Sequence, residues 1–144
     1  MIENNSLIDS NILIYAYDLS EKTKNPIANK ILKEAMEQKY EISLSTQNLS
    51  EFYFNATQKI NPPIPKSEAA EIMKELTSFD NFHILKINSS TILKAINISI
   101  EYNLHYWDAL IAATMQENSV FTIITENDKD FKKILWLTVK NPFK

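Results

Sequence analysis

The chain contains no glycine. At ordinary usage of ~7%, a chain of 144 residues would hold about ten. Every left-handed turn must therefore be made by a residue that carries a Cβ. The absence excludes the Gly-rich phosphate loops of nucleotide-binding folds, both the P-loop and the dinucleotide fingerprint. Cysteine is also missing, so there is no disulfide framework, thiolate zinc site or Cys nucleophile. His83 and His105 are the only histidines, too few for a multi-histidine centre. Any metal would have to be a hard cation held by oxygen.

All fifteen positive charges are lysines, so bidentate guanidinium contacts to phosphate are unavailable. Eighteen acidic residues give a net charge of −3, which argues against a broad nucleic-acid surface but not against a local lysine cluster. The longest apolar run, Ile12 to Tyr17, is six residues and cannot span a membrane. No charged-then-apolar signal segment opens the chain, and the expectation is a soluble cytoplasmic protein. The length and the 44% apolar content suit one domain over residues 1–144.

Apolar periodicity predicts strands at Ser6–Asp9, Ile42–Ser45, Phe82–Ile87, Phe121–Thr125 and Trp136–Val139. Between them it predicts helices over Asn11–Tyr17, Pro26–Lys39, Thr46–Ile60, Lys66–Phe79, Ser89–Tyr102, Trp107–Asn118 and a short turn over Lys129–Ile134. The Asn61-Pro62-Pro63-Ile64-Pro65 segment reads as a stiff loop between two helices. Strands separated by helices argue an α/β fold, a mainly parallel sheet covered on both faces. In such sheets the working site lies outside the carboxyl ends of the strands, where acidic residues fall twice.

Asp9 closes the first strand. It serves there either as a helix cap or as a functional carboxylate oriented by Ser10 and Asn11. Asp108 shares a helical stripe with Ile111, Ala112 and Met115. An acid on that stripe costs stability unless it is paired, hydrogen-bonded or metal-bound, although a first-turn acid also complements the helix dipole. Thr125-Glu126-Asn127-Asp128-Lys129-Asp130 reads either as a solvated turn or as part of a site. Glu51 falls opposite the Leu49, Phe52, Tyr53, Ala56 stripe, which by pattern alone is surface.

Together, Asp9-Ser10-Asn11, Leu49-Ser50-Glu51-Phe52, Tyr106-Trp107-Asp108-Ala109-Leu110, Thr125-Glu126-Asn127-Asp128 through Asp130-Phe131, and Asn141-Pro142-Phe143 resemble the PIN-domain nucleases. The similarity is strongest to the VapC-type toxins of prokaryotic toxin–antitoxin pairs. It covers nearly the whole chain, with the motifs in order. The resemblance implies a three-layer α/β/α sandwich and a Mg²⁺- or Mn²⁺-dependent endoribonuclease. It also implies an RNA substrate, a cognate antitoxin and a homodimer. Carried over by position, Asp9, Glu51 and Asp108 become the main acidic residues. Relatives often place an Asp where this chain has Asn127, so Asp128 or Asp130 would supply the fourth acid. Asp9 and Asp108, with Asn127 and Asp128, would hold metal; Glu51 and Asp128 would join them in catalysis. Ser10, Asn11, Thr125 and Asp130 would orient these groups.

Phosphodiester hydrolysis on one or two Mg²⁺ ions needs only this inventory of acids. Lys129, Lys132 and Lys133 either meet RNA phosphates or form a solvated helix face. His83 and His105 read as polar surface residues, and Trp107, Tyr102, Tyr53 and Phe54 as core or interface. A rival reading is a PIN-like RNA-binding or scaffold module without cleavage, favoured only by Asn127. A haloacid-type phosphatase would need a second Asp where Asn11 stands. Relatives commonly carry Gly where this chain has Asn103 and Asn118, and Asn is the next-best left-handed residue. Positive φ is therefore expected at both. With fifteen Asn and twenty Ile, compositional drift is the simpler source of the missing glycines.

Overall fold

The computed structural model describes residues 2–144. Five strands, β1 (Ser6–Ile8), β2 (Ile42–Ser45), β3 (Phe82–Leu85), β4 (Thr122–Ile124) and β5 (Thr138–Lys140), form one sheet in the order β3-β2-β1-β4-β5. Every pairing is parallel, so the sheet is wholly rather than mainly parallel. The helices are α1 (Ser10–Tyr17), α2 (Lys24–Met36), α3 (Thr46–Gln58), α4 (Lys66–Leu76), α5 (Ser89–Tyr102), α6 (Tyr106–Glu117) and α7 (Asp128–Phe131).

Period-two alternation of short buried strands separates the core into two halves. Ile8 and Ile124 pack with Ile12, Leu13, Leu32 and Phe52 on the α1–α4 side. Their neighbours Leu7 and Ile123 pack with Ala95, Leu110, Met115 and Phe131 on the α5–α6 side. The three layers follow directly. Helix α6 is buried from Ala109 through Met115, and Ala109, Ala112 and Ala113 let it lie close to the sheet.

The chain builds outward from β1 through β2 to β3, then returns across the sheet to place β4 on the other side of β1. The reversal makes a crevice at the carboxyl ends of β1 and β4. Asp9 leaves β1 there, its backbone N–H donating to the Ile124 carbonyl at 3.0 Å. Thr125 leaves β4 beside it.

Among the described residues, four that carry a Cβ adopt positive φ: Asn5 (65°), Gln38 (61°), Asn103 (54°) and Ser119 (55°). Asn103 fits the expectation. Asn118 does not: its φ is −107°, and Ser119 takes the left-handed position instead. The hydrogen bonds explain the shift. Val120 N–H donates to Met115 O and Ser119 N–H to Gln116 O, a Schellman pair that puts the left-handed residue one position beyond Asn118. Lys39 N–H to Glu34 O and Gln38 N–H to Ala35 O repeat the pattern after α2.

Candidate active site

Asp9 is 5% exposed and accepts four hydrogen bonds. Its Oδ1 receives Ser10 N–H (2.8 Å) and Asn48 Nδ2 (3.2 Å); its Oδ2 receives Thr125 Oγ1 (2.7 Å) and Asn11 Nδ2 (3.3 Å). The carboxylate is thus both the N-cap of α1 and the floor of the crevice. Burial pushes its pKa up; bonds from Thr125 and Ser10 oppose the rise and the Glu51 charge adds to it. Thr125, fully buried, also accepts the Asn127 N–H (2.9 Å) and Asn11 Nδ2 (3.3 Å), which ties the β4 exit to α1. Asn11 Oδ1 accepts the Glu126 N–H, securing the same turn.

Glu51 is half-buried rather than a surface residue. The packing of α3 against α1 turns this flank toward the crevice, and Ser10 Oγ donates to Glu51 Oε1 at 3.1 Å. Burial raises its pKa, bonds from Ser10 and Gln47 lower it, and the Asp108 charge raises it again. Asp108 stands in the first turn of α6, where Asn127 Nδ2 lies 3.4 Å from its Oδ2. Its pKa is raised by burial, then by the charges of Asp9 and Asp130, against Asn127 and His105. Charge repulsion thus couples Asp9 with Glu51 and Asp108, and Asp108 with Asp130.

Asp128 does not join them, contrary to its expected place among the metal-holding and catalytic acids. Lys144 Nζ (3.0 Å) and Asn141 Nδ2 (3.1 Å) hold it toward the C-terminal tail, and Lys132 lies 3.5 Å away. The Lys144 bond, then the Asn141 bond, lowers its pKa to about 2. Asp128 and Asp130 are two positions apart in α7 and so point about 200° from each other. Only one can face the crevice. Lys132 is turned to Asp128, while Lys129 is exposed without an ion pair among the described residues. His83 pairs with Glu41 at the surface.

Two residues of the site escaped sequence reasoning. Asn48, fully buried, closes a capping box with Ser45 through its Oδ1 and donates from its Nδ2 to Asp9. The Ser45-x-x-Asn48 spacing after a strand signals the box, but not the long-range bond. Gln47, 8% exposed, donates from Nε2 to the Trp107 carbonyl (3.0 Å) and thereby links α3 to α6.

Among the described residues, no three carboxylate or imidazole groups converge closely enough to hold an ion as they stand. The donor chemistry still suits a hard cation. Asp9, Glu51 and Asp108 repel one another, and no lysine or histidine forms an ion pair with any of them. A divalent ion that keeps several waters needs only one or two direct carboxylates.

Fold and crevice define an α/β/α protein with an acidic site at a sheet switch point. The PIN domain profile matches residues 6–137, and the chain belongs to the PIN domain family. Among solved structures, it is similar to a chain of a toxin–antitoxin complex from Klebsiella pneumoniae. That match has 24% identity and a TM-score of 0.67, covering 96% of this chain and 98% of that one. A chain of DNA-bound VapBC from Salmonella typhimurium matches with 14% identity and a TM-score of 0.69, over 96% and 98% of the two chains. A sarcin-ricin-loop-cleaving toxin from Mycobacterium tuberculosis matches with 9% identity and a TM-score of 0.63, over 83% and 87%. At these identities the likeness is one of fold. No curated protein matches the chain.

Proposed function

We propose that the protein is a Mg²⁺- or Mn²⁺-dependent endoribonuclease, acting as the toxin of a toxin–antitoxin pair. The observation that carries this reading is the switch point of β1 and β4, where buried and half-buried acids repel one another and none forms an ion pair among the described residues. The similar toxin chains from Klebsiella, Salmonella and Mycobacterium support it, as does membership of the PIN family. No helix among the described residues is long and apolar enough to cross a membrane.

Asp9 and Asp108 would hold the metal, with Asn127 contributing a neutral oxygen and Asp130 the fourth negative charge. When bound, the cation supplies activation of water and neutralisation of charge on the phosphodiester. Thr125, Asn11, Asn48 and the Ser10 N–H fix both Asp9 oxygens, so this carboxylate is positioned before substrate arrives. Ser10 holds Glu51 at the rim, and a carboxylate with a raised pKa there suits orienting and deprotonating the attacking water. Lys129, exposed at α7, would meet a phosphate of the RNA. The partners proposed are an RNA substrate, a small antitoxin and a second copy of the chain, and the location is the cytoplasm.

The test is incubation of purified protein with structured RNAs in Mg²⁺, Mn²⁺ or EDTA, beside Asp9→Asn and Asp108→Asn. Metal-dependent cleavage lost in both variants is the expected result; cleavage that survives both, or survives EDTA, overturns the assignment. Expression should arrest growth, with relief by a co-expressed antitoxin. Binding of RNA without cleavage under any of these metals would leave the scaffold reading.

A further inference from the structure

A groove of about 400 Å³ runs between α1 and α3, and Ser10 at one end of it donates to Glu51 of the acidic site. Its geometry follows from helical spacing. Glu51, Asn55 and Lys59 recur every four residues and lie along one line of α3. Ser10, Ile14 and Asp18 recur likewise along α1. The Ser10–Glu51 hydrogen bond joins the two lines at the crevice. From there the groove extends to Lys59, which a rise of ~1.5 Å per residue puts about 12 Å from Glu51 along the axis.

Of the eight polar side chains that line the groove, Ser10, Asn11, Tyr15, Asp18 and Ser20 are engaged and three at its far end are not. The half-buried Asn55 and the exposed Asn61 line it, and their side-chain amides make no hydrogen bond among the described residues. Lys59, exposed, forms no ion pair among the described residues; its ammonium stands 5.7 Å from the Phe54 ring centroid. Asp18, by contrast, is engaged by the Ser20 N–H and hydroxyl. A cation and two free amides, in a slot contiguous with phosphodiester-cleaving acids, suit one ligand class. Amides carry both donor and acceptor for base edges or a 2′-hydroxyl, and an ammonium meets a phosphate as a point charge. Apolar surface suited to a peptide lies around Ile27, Ile31, Tyr40 and Pro142, and a second apolar patch of Leu19, Ile60 and Pro62–Pro65 adjoins the far end of the groove, whereas the groove itself presents Asn55, Lys59 and Asn61.

We infer that the α1–α3 groove is a subsite for single-stranded RNA flanking the cleaved bond, with Lys59 on a phosphate and Asn55 and Asn61 on a nucleoside. The inference rests on the ribonuclease reading but is tested without cleavage. The probe is a fluorescein-labelled, mixed-sequence single-stranded oligoribonucleotide. It is titrated by fluorescence anisotropy in EDTA into Asp9→Asn protein, alone or combined with Lys59→Ala, Asn55→Ala or Asn61→Ala. Lys74→Ala, an exposed α4 lysine paired with Glu71, removes the same charge elsewhere.

Lys59→Ala should weaken binding about fivefold and flatten the log–log salt dependence by ~0.7, the value for one phosphate on a single strand. Asn55→Ala and Asn61→Ala should each weaken binding about threefold with the salt slope unchanged, as expected when one neutral hydrogen bond is lost. Lys74→Ala should match the parent. In nitrogen–proton spectra, the Asn55 and Asn61 side-chain amide signals should shift on RNA addition. Equal affinity in all the groove variants, or an equal loss in Lys74→Ala, overturns the subsite. Groove substitutions that impair antitoxin binding but not RNA binding would also overturn it, and would assign the groove to protein. If the Asp9→Asn parent binds no RNA while the wild-type protein fails to cleave it, the ribonuclease reading itself falls.

Discussion

Asp128 and Asp130 differ by two positions and have opposite surroundings. At the level of sequence the acidic turn offered both as the fourth acid, because residue type and spacing do not say which way a four-residue helix is rotated. The rotation is set by the tail, where Lys144 and Asn141 draw Asp128 away and leave Asp130 to act on Asp108. Asp130→Asn should therefore lower cleavage by roughly 10–100-fold, the usual effect of losing a supporting carboxylate at a metal site. Asp128→Asn should reveal itself in stability. Its folded pKa is depressed to about 2, so the ionised form stabilises the fold above the ordinary value of 3.8. The contribution is lost as pH falls through that interval. Thermal melts should show Asp128→Asn less stable than wild type at pH 7, with the difference vanishing between about pH 4 and pH 2. A gap that is constant with pH would deny the ion pair. Asn48 marks the other limit of legibility: its capping box is local, whereas its bond to Asp9 spans 39 positions and exists only once β2 lies beside β1.

At the scale of elements, much was readable. The bounds of β2 and α5 coincide with those expected from periodicity, since both are flanked by abrupt changes of pattern. The short strands β1, β4 and β5 are set by their neighbours in the sheet, and their ends differ from expectation by up to two residues. Helix ends show why. Asn118 was the expected left-handed residue, but its own amide donates to the Thr114 carbonyl and α6 closes through Ser119 instead. Left-handed backbone costs a residue with a Cβ about 1–2 kcal/mol, partly offset in glycine by greater unfolded entropy. Gln38→Gly and Ser119→Gly should each stabilise the protein by about 0.5–1 kcal/mol, and Asn103→Gly by less, because Asn tolerates the region better. Urea midpoints at constant m would measure this. Destabilisation by both glycines would mean that side-chain contacts of Gln38 and Ser119 outweigh backbone relief.

Over the whole molecule, strand order converts scattered acids into one site at a cost to the fold. Asp9, Glu51, Asp108 and the Asp9–Thr125 pairing come from four different elements, and only the return of the chain to β4 assembles them. Without a cation, burial and mutual repulsion raise all three carboxyl pKa values. The sign is then fixed: a carboxyl whose folded pKa exceeds its unfolded value destabilises the native state as pH rises above about 4 and its charge develops. Asp108→Asn should accordingly melt a few degrees higher than wild type at pH 7 in EDTA while losing cleavage. Adding Mg²⁺ or Mn²⁺ should reverse the ranking. A ligand bound only by the native state stabilises it by RT ln(1 + [L]/Kd), about 2.7 kcal/mol at a hundredfold excess over Kd. For a chain of this size, that corresponds to roughly 5–15 °C in melting temperature. Wild type should gain this increment and Asp108→Asn little of it, with Lys74→Ala gaining as wild type does. A melting temperature in wild type that ignores both ions, together with no gain from Asp108→Asn in EDTA, would mean that the crevice is not held open for a cation.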